Sequence, residues 1–360
     1  MRIKQFLIDL VPFFIVKRWI QRNDKKNSII AYDPNLPDIE DHESKFKYIV
    51  SVQGLGYSGS GAVVDILREY SNCLTFGGID EREGSGAKGL RLDSGEIDFL
   101  RFSGGLFEIE KYLEDDNIFF KDALIKRFKC TLDCCHIFKY PETRQLANQF
   151  YNKIIDFEID TNGRPDINWQ VTDRLRQDCN IKIMRNLTVS EYYNLCQIFL
   201  RRIFNCFYQD KFEYLCLDQL CSDGNYDTQH YYSYIPNLKI ILVYRDPRDV
   251  YSFAIKRDIP WIAHANVNEF IKWYKIQTKN IKTDSQDYLV IRFEDLVNNC
   301  SSQISRIESY LGLKTSQHNS ERRCFIPEKS RLNIGIWRTH LEKQSDFDVI
   351  YQDLREFCYE

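Results

Sequence analysis

No apolar stretch in this chain approaches the roughly 20 residues a membrane-spanning helix needs. There is no excess of positive charge either. The 49 Lys and Arg are outnumbered by 52 Asp and Glu, for a net charge of -3. That balance argues against bulk binding of nucleic acid, so any anion site must be assembled locally from a few cations and backbone amides. Twelve cysteines in 360 residues fall well below the density of a disulfide scaffold. They are scattered, as in Cys73, Cys179, Cys196, Cys206 and Cys324, which points to a reducing cytosol. One cluster, Cys130, Cys134, Cys135 and His136, has no second ligand pair at zinc spacing. It reads as core cysteines on a helix, and no metal is expected. Internal repeats and low-complexity tracts are missing as well.

What is present is ample core material, with 43% hydrophobic and 14% aromatic residues. The length suits one large α/β domain, or a domain with an insert. The N-terminus reads MRIKQFLIDLVPFFIVK. Asp9 breaks its apolar run and no small-residue cleavage site follows, so it is not a signal peptide. Two readings stand. It is an amphipathic helix on a membrane surface, with Lys4, Lys17, Arg18 and Arg22 toward lipid phosphates and Phe6, Leu10, Phe14 and Trp19 inserted. Alternatively it packs on the protein's own core. Residues 1–45 are therefore assigned as this helix and a linker arm carrying Pro34 and Pro37. Residues 46–345 form the α/β domain, with a helical insert at about 130–212, and residues 346–360 a C-terminal tail.

Residues 47–52 predict a buried strand, 53–61 a glycine-rich turn and 62–70 a helix, which is the P-loop layout. Loops around a site are expected over 71–105. Helices are expected at 189–210 and 259–281, and further buried strands at 239–244 and 288–292. Buried strands alternating with helices imply a three-layer, P-loop-like fold, a parallel sheet covered on both faces.

The glycine turn is Gly54-Leu55-Gly56-Tyr57-Ser58-Gly59-Ser60-Gly61. Its glycines can aim successive N–H groups at an anion, and the helix behind adds its positive end. In a nucleoside-triphosphatase loop, G-x-x-x-x-G-K-[ST], a lysine would stand where Ser60 is and a magnesium-binding hydroxyl where Gly61 is. Neither chemistry is available here. A second signal closes the strand at 239–244, where Arg245-Asp246-Pro247-Arg248 leads into a helix with Pro247 at its first turn and Ser252 beyond. Arginine suits a terminal phosphate through paired, charge-assisted bonds. The alternative is an arginine paired with Asp246 or Asp249 on the surface.

Taken together, these two elements resemble the sulfotransferase family, and the loop form Gly-Tyr-Ser-Gly-Ser-Gly is more like its bacterial, carbohydrate-type members. The segment Tyr288-Leu289-Val290-Ile291-Arg292-Phe293-Glu294-Asp295-Leu296 looks like the family's strand followed by E-D-L, with Glu294 and Asp295 capping the next helix. Ile334-Gly335-Ile336-Trp337-Arg338 looks like its C-terminal G-x-W-[RK] segment. The resemblance implies 3'-phosphoadenosine 5'-phosphosulfate as donor. Its 5'-phosphosulfate would lie on Gly56, Tyr57, Ser58, Gly59, Ser60, Gly61 and Ala62, and its 3'-phosphate on Arg245, Arg248 and Ser252. Arg331, Gly335 and Trp337 would lie near the nucleotide, although Trp337 also reads as a packing residue. Two departures stand out. Tyr57 occupies the position of the family's loop Lys or Arg, so Lys88, Arg91, Lys121 or backbone amides would have to take over. Ser252 lies seven residues after Arg245 where the family has eight, a rotation of about 100° on a helix.

A hydroxyl acceptor needs a general base, for which the resemblance points to Glu96, then Asp93, Asp98 and His136, with Arg101 holding a carboxylate or an acidic acceptor. The expected acceptor is a glycan or glycolipid. The expected location is the cytoplasm, with peripheral membrane contact through residues 1–22. Two competing readings are a magnesium-dependent nucleotide or sugar kinase, and a relative that binds nucleotide without turnover.

Overall fold

The computed structural model describes residues 30–76, 105–160, 180–221, 228–259, 261–279, 281–282 and 285–360. The N-terminal helix over 1–22 lies outside the described residues, as do Lys88, Arg91, Asp93, Glu96, Asp98 and Arg101. In chain order the main elements are β1 (Tyr48–Gly54), α1 (Ser60–Arg68), β2 (Cys73–Phe76), α2 (Ile118–Cys134), α3 (Pro141–Lys153), β3 (Ile155–Ile159), β4 (Ile181–Met184), α4 (Val189–Asn205) and β5 (Tyr214–Asp218). There follow β6 (Leu238–Tyr244), α5 (Pro247–Arg257), α6 (Val267–Thr278), β7 (Leu289–Arg292), α7 (Phe293–Asn298), α8 (Cys300–Leu311) and α9 (Gln344–Asp353). The chain divides into two compact units, Met1–Asp41 with Gly105–Leu195, and His42–Gly104 with Cys196–Glu360.

In the first unit the described part of the arm wraps helices. The Ile30 N–H donates to Asp133 on α2 (2.8 Å), and the Gln149 amide on α3 donates to the Pro37 carbonyl (3.1 Å). The insert is not purely helical, because β3 and β4 pair antiparallel. The alternation in Ile155-Asp156-Phe157-Glu158-Ile159 is the strand signature that a helical reading of this stretch passes over. Asp122, fully buried on α2, accepts from the Lys126 ammonium (2.9 Å) and from the Lys182 N–H (2.8 Å), joining helix to strand. The Lys182 ammonium reaches Glu158 across the strand pair. Burial, reinforced by the neighbouring Lys126 charge, pushes the Lys182 pKa down to about 8. Lys121 donates to the Leu113 carbonyl (2.6 Å).

The second unit is built on a five-stranded sheet of order β2-β5-β1-β6-β7, every pair parallel. The expected α/β fold with a parallel sheet flanked by helices is what forms. Consecutive residues of β1 and β6 are buried, as strands covered on both faces require. Val50 and Val52 of β1, Ile241 and Val243 of β6 and Ile291 of β7 share one core with Val63, Val64 and Leu67 of α1 and Ile307 of α8. A second core gathers Val250, Tyr251, Phe270, Tyr274, Phe347 and Ile350 from α5, α6 and α9. Within the C-terminal tail, residues 346–360, Phe347, Ile350 and Leu354 are buried in that core.

Two strands of this sheet escape the sequence pattern, Cys73–Phe76 and Tyr214–Asp218, the latter buried at every position and so without alternation. The helix expected over 259–281 begins only at Val267. Asp258 closes α5 in a left-handed conformation, and the Asn266 side chain caps α6 by accepting from the Asn268 and Glu269 N–H groups. The helix expected to reach residue 210 stops at Asn205.

The strand order places the site. The chain leaves β1 through α1 toward β2 on one side of the sheet, and leaves β6 through α5 and α6 toward β7 on the other. The carboxyl ends of the adjacent β1 and β6 are therefore a topological switch point, where open α/β sheets hold ligands. Gly54 is level with Val243 in the ladder, so the glycine loop and Arg245 emerge side by side.

Candidate functional site

The glycine loop closes on its own backbone, with the Ser58 N–H donating to the Leu55 carbonyl (2.8 Å). Gly59 is the N-cap of α1 at φ 96°, a left-handed conformation that an L side chain rarely adopts. A Cβ there would also strike the Phe293 ring. No side chain caps α1; the Ala62 N–H donates back to the Gly59 carbonyl (3.0 Å), while the two N–H groups before it and the positive helix end face an anion position. At Gly61 a Cβ would meet nothing within 4 Å, so this face of the helix start is open. The Ser58 hydroxyl is buried and has no hydrogen-bond partner.

Gln219, left-handed at φ 58° just after β5, supports the loop from the neighbouring strand. Its amide lies 3.1 Å from the Ser60 hydroxyl. With its oxygen on that side it also accepts from the Gly54 N–H (3.2 Å) and donates to the Gly54 carbonyl (3.2 Å). Nothing in the sequence around Gln219 signals this role.

Arg245 is 4% exposed, in the interior rather than on the surface. Its guanidinium donates to the Tyr57 carbonyl (3.2 Å) and to the Asn333 carbonyl, bridging the glycine loop to the 331–338 segment. Asp249, one helical turn on, lies 3.7 Å away. The Arg245 Nε has no hydrogen-bond partner. Burial pulls the Arg245 pKa down, against the carboxylates of Asp249 and Glu294.

The rest of the arginine turn is internally committed. The Asp246 carboxylate caps α5 by accepting from the Arg248 N–H (2.8 Å), and it also takes the Arg248 guanidinium (2.6 Å) and the Tyr359 N–H (2.9 Å). Arg248 further donates to the Tyr359 carbonyl (2.9 Å), with Trp337 and Tyr351 rings beside it. Arg248 is thus a fixture of the turn, paired with Asp246 as the alternative reading held but buried. The Asp246 N–H donates to Glu294 (2.9 Å), which is fully buried. Burial raises the Glu294 pKa to about 7, against the pull of that N–H and of Arg292. Arg292, the N-cap of α7, makes no side-chain bond to the helix, and the Glu294 carboxylate also takes its own N–H in the first turn.

Asp249, which the sequence offers only as a surface partner for an arginine, is buried and does more. Its carboxylate accepts from the Gly335 N–H (2.8 Å) and the Trp337 N–H (3.2 Å), locking the C-terminal segment to α5. Gly335 is left-handed at φ 70°. Trp337 packs against Phe347, and Arg331 is exposed.

Ser252 shares the Asp249 face of α5, three residues on. It is 1% exposed and its hydroxyl has no partner. The one-residue offset instead turns Phe253 outward onto Tyr57, with ring centroids 4.4 Å apart. Tyr57, left-handed at φ 62°, stacks in turn on Trp261 (5.7 Å, 14°).

The loop and Arg245 thus meet at the carboxyl ends of β1 and β6, Ser252 lies within the first two turns of α5, and the buried Ser58 and Ser252 hydroxyls and Arg245 Nε have no hydrogen-bond partner. Among the described residues no group of three or more His, Cys, Asp and Glu could hold a metal. No helix of the described residues is long and apolar enough to cross a membrane. Ten cysteines among the described residues are in no disulfide.

No family model and no curated protein matches the sequence. Among solved structures, the sulfotransferase domain from the Synechococcus PCC 7002 olefin synthase aligns over 92% of this chain and 99% of its own, at 13% identity and a TM-score of 0.38. The sulfotransferase domain from the curacin biosynthetic pathway aligns over 76% of both chains, at 13% identity and a TM-score of 0.33. Sulfotransferase STF1 from Mycobacterium tuberculosis H37Rv aligns over 81% of this chain and 77% of its own, at 11% identity and a TM-score of 0.34.

Proposed function

We propose that the chain is a sulfotransferase that moves a sulfuryl group from 3'-phosphoadenosine 5'-phosphosulfate to a hydroxyl or amine, on a glycan or glycolipid acceptor in the cytoplasm. One observation carries this reading. The uncapped glycine loop is tied through the Tyr57 carbonyl to Arg245, and buried polar atoms of Ser58, Arg245 and Ser252 around it lack partners. Unsatisfied buried donors are destabilising and persist where a ligand completes them. Two anionic groups on one ligand fit two such positions. A triphosphatase loop would instead offer a lysine and a metal-binding hydroxyl, and Ser60 and Gly61 supply neither.

In the transfer, the acceptor oxygen or nitrogen attacks sulfur in line, and the bond from sulfur to the bridging phosphate oxygen breaks. The acceptor proton passes to a base, for which Glu96 is the candidate. The products are the sulfated acceptor and 3'-phosphoadenosine 5'-phosphate. Loop amides and the α1 N-terminus stabilise charge developing on the leaving phosphate. Arg245 and the Ser252 hydroxyl hold the 3'-phosphate.

The test is thermal stabilisation by 3'-phosphoadenosine 5'-phosphate, 5'-AMP, ADP and ATP, each with and without magnesium. A ligand at 100 times its Kd adds about 2.7 kcal/mol. Metal-independent stabilisation by the 3'-phosphorylated nucleotide alone, lost in Arg245→Ala, is the expected result. Preference for ATP with magnesium overturns the reading in favour of a kinase. Tyr57 at the usual cation position favours a second reading, a relative that binds the nucleotide without turnover. Nucleotide binding with no transfer of labelled sulfate would select it.

A further inference from the structure

Beside the anion site lies a surface the proposed nucleotide chemistry does not use. Tyr57, Phe253 and Trp261 form a continuous aromatic ledge, Tyr57 42% and Trp261 57% exposed. The ledge is built, not incidental. Tyr57 holds a left-handed backbone that strains a non-glycine residue. The neighbouring Gly56 lets Trp261 lie directly on the loop, where any Cβ would overlap the indole. Arg257 covers the Phe253 ring at 5.1 Å. Orientation separates the ledge from the nucleotide. The Tyr57 carbonyl faces Arg245 while its ring faces Phe253, and Phe253 is turned about 100° around α5 from the buried Ser252.

Resting on the sulfotransferase reading, we propose that this ledge is the acceptor platform, and that it takes the hydrogen-bearing flat face of a pyranose ring. Openness selects the ligand class. An apolar ring laid on a ledge this exposed would bury one face and leave the other in water, forgoing half its hydrophobic gain. A pyranose has an apolar face for the rings and hydroxyls that stay hydrated. Such a ring, seated against the first residue after Gly56, brings a hydroxyl beside the loop that holds the donor's reacting end.

The test uses the full chain and saturation-transfer NMR with methyl β-D-glucopyranoside, methyl β-D-galactopyranoside and cellobiose. Transfer is expected to at least one of these sugars, strongest at the axial ring hydrogens, and lost in both Trp261→Ala and Tyr57→Ala. Absence of transfer to all three sugars overturns the platform, as does transfer that survives both substitutions. In parallel, stabilisation by 3'-phosphoadenosine 5'-phosphate is measured on the same variants. Retained nucleotide stabilisation in Trp261→Ala is expected. Its loss would assign the ledge to the adenine ring and overturn the proposal. Sugar transfer with no nucleotide stabilisation in the unmodified chain would sink the donor reading while leaving the platform standing.

Discussion

Replacing Asp249 by alanine tests whether the C-terminal segment is held to the arginine turn by one carboxylate. Asp249 is 1% exposed and accepts two backbone N–H groups, from Gly335 and Trp337. Hydrogen bonds to a charged acceptor contribute about 1.5–3 kcal/mol each. The substitution also deprives buried Arg245 of its nearest carboxylate. Removing one partner from a buried pair costs about 3–5 kcal/mol, mostly from the charge left behind. The pair spans 3.7 Å and burial raises the Asp249 pKa, so desolvation offsets part of the gain. An overall loss of about 3–5 kcal/mol is expected for Asp249→Ala. Asp249→Asn keeps one acceptor oxygen and should lose about half as much. Urea unfolding of all three proteins, fitted with a common slope, reads the difference. Titration with 3'-phosphoadenosine 5'-phosphate should show weaker binding in both variants. A change below about 0.5 kcal/mol in Asp249→Ala would place it among ordinary surface substitutions and refute the linkage.

Three further outcomes are expected. Ser252→Ala removes a buried hydroxyl with no partner, so urea stability should rise by about 1 kcal/mol, while affinity for 3'-phosphoadenosine 5'-phosphate falls about tenfold or more as a bond to a charged group is lost. Gly59→Ala forces a side chain into φ 96° and against Phe293, and should lose at least about 1–2 kcal/mol in the same assay. Glu294, raised from 4.5 to about 7, is held neutral by folding, so its contribution is fully present below pH 4.5 and lost as pH rises through 7. Each pH step between those two values is worth about 1.4 kcal/mol, so a decline on the order of 3 kcal/mol is expected over that window, measured as the difference from Glu294→Gln.

The parts of the site readable in the sequence are those whose chemistry is local. A strand, a glycine turn and a helix run without a break from Tyr48 to Arg68, and Arg245 follows a strand at once. The supports were not readable because they join distant positions. Asp249 meets residues 86 and 88 positions away, and Asp246 meets Tyr359 at a separation of 113. Such pairs leave no periodicity behind. Arg248 shows the other side of this: its motif position suggests a ligand contact, and only the fold reveals that its Nε and Nη2 are bonded to Asp246 and the Tyr359 carbonyl. Ser252 and Phe253 differ by one residue and face opposite purposes, a distinction that only the rotation of α5 resolves.

The open space at Gly61 carries a consequence of another kind. Neither a positive φ nor a steric clash requires glycine there. In a helix, glycine in place of alanine costs about 1 kcal/mol. The protein therefore keeps a weaker helix start than its packing permits, and a methyl group at this position would strengthen the fold while roofing the amides beneath it. A laboratory selection for heat resistance alone should discover Gly61→Ala early, and the proteins it returns should be sturdier and emptier.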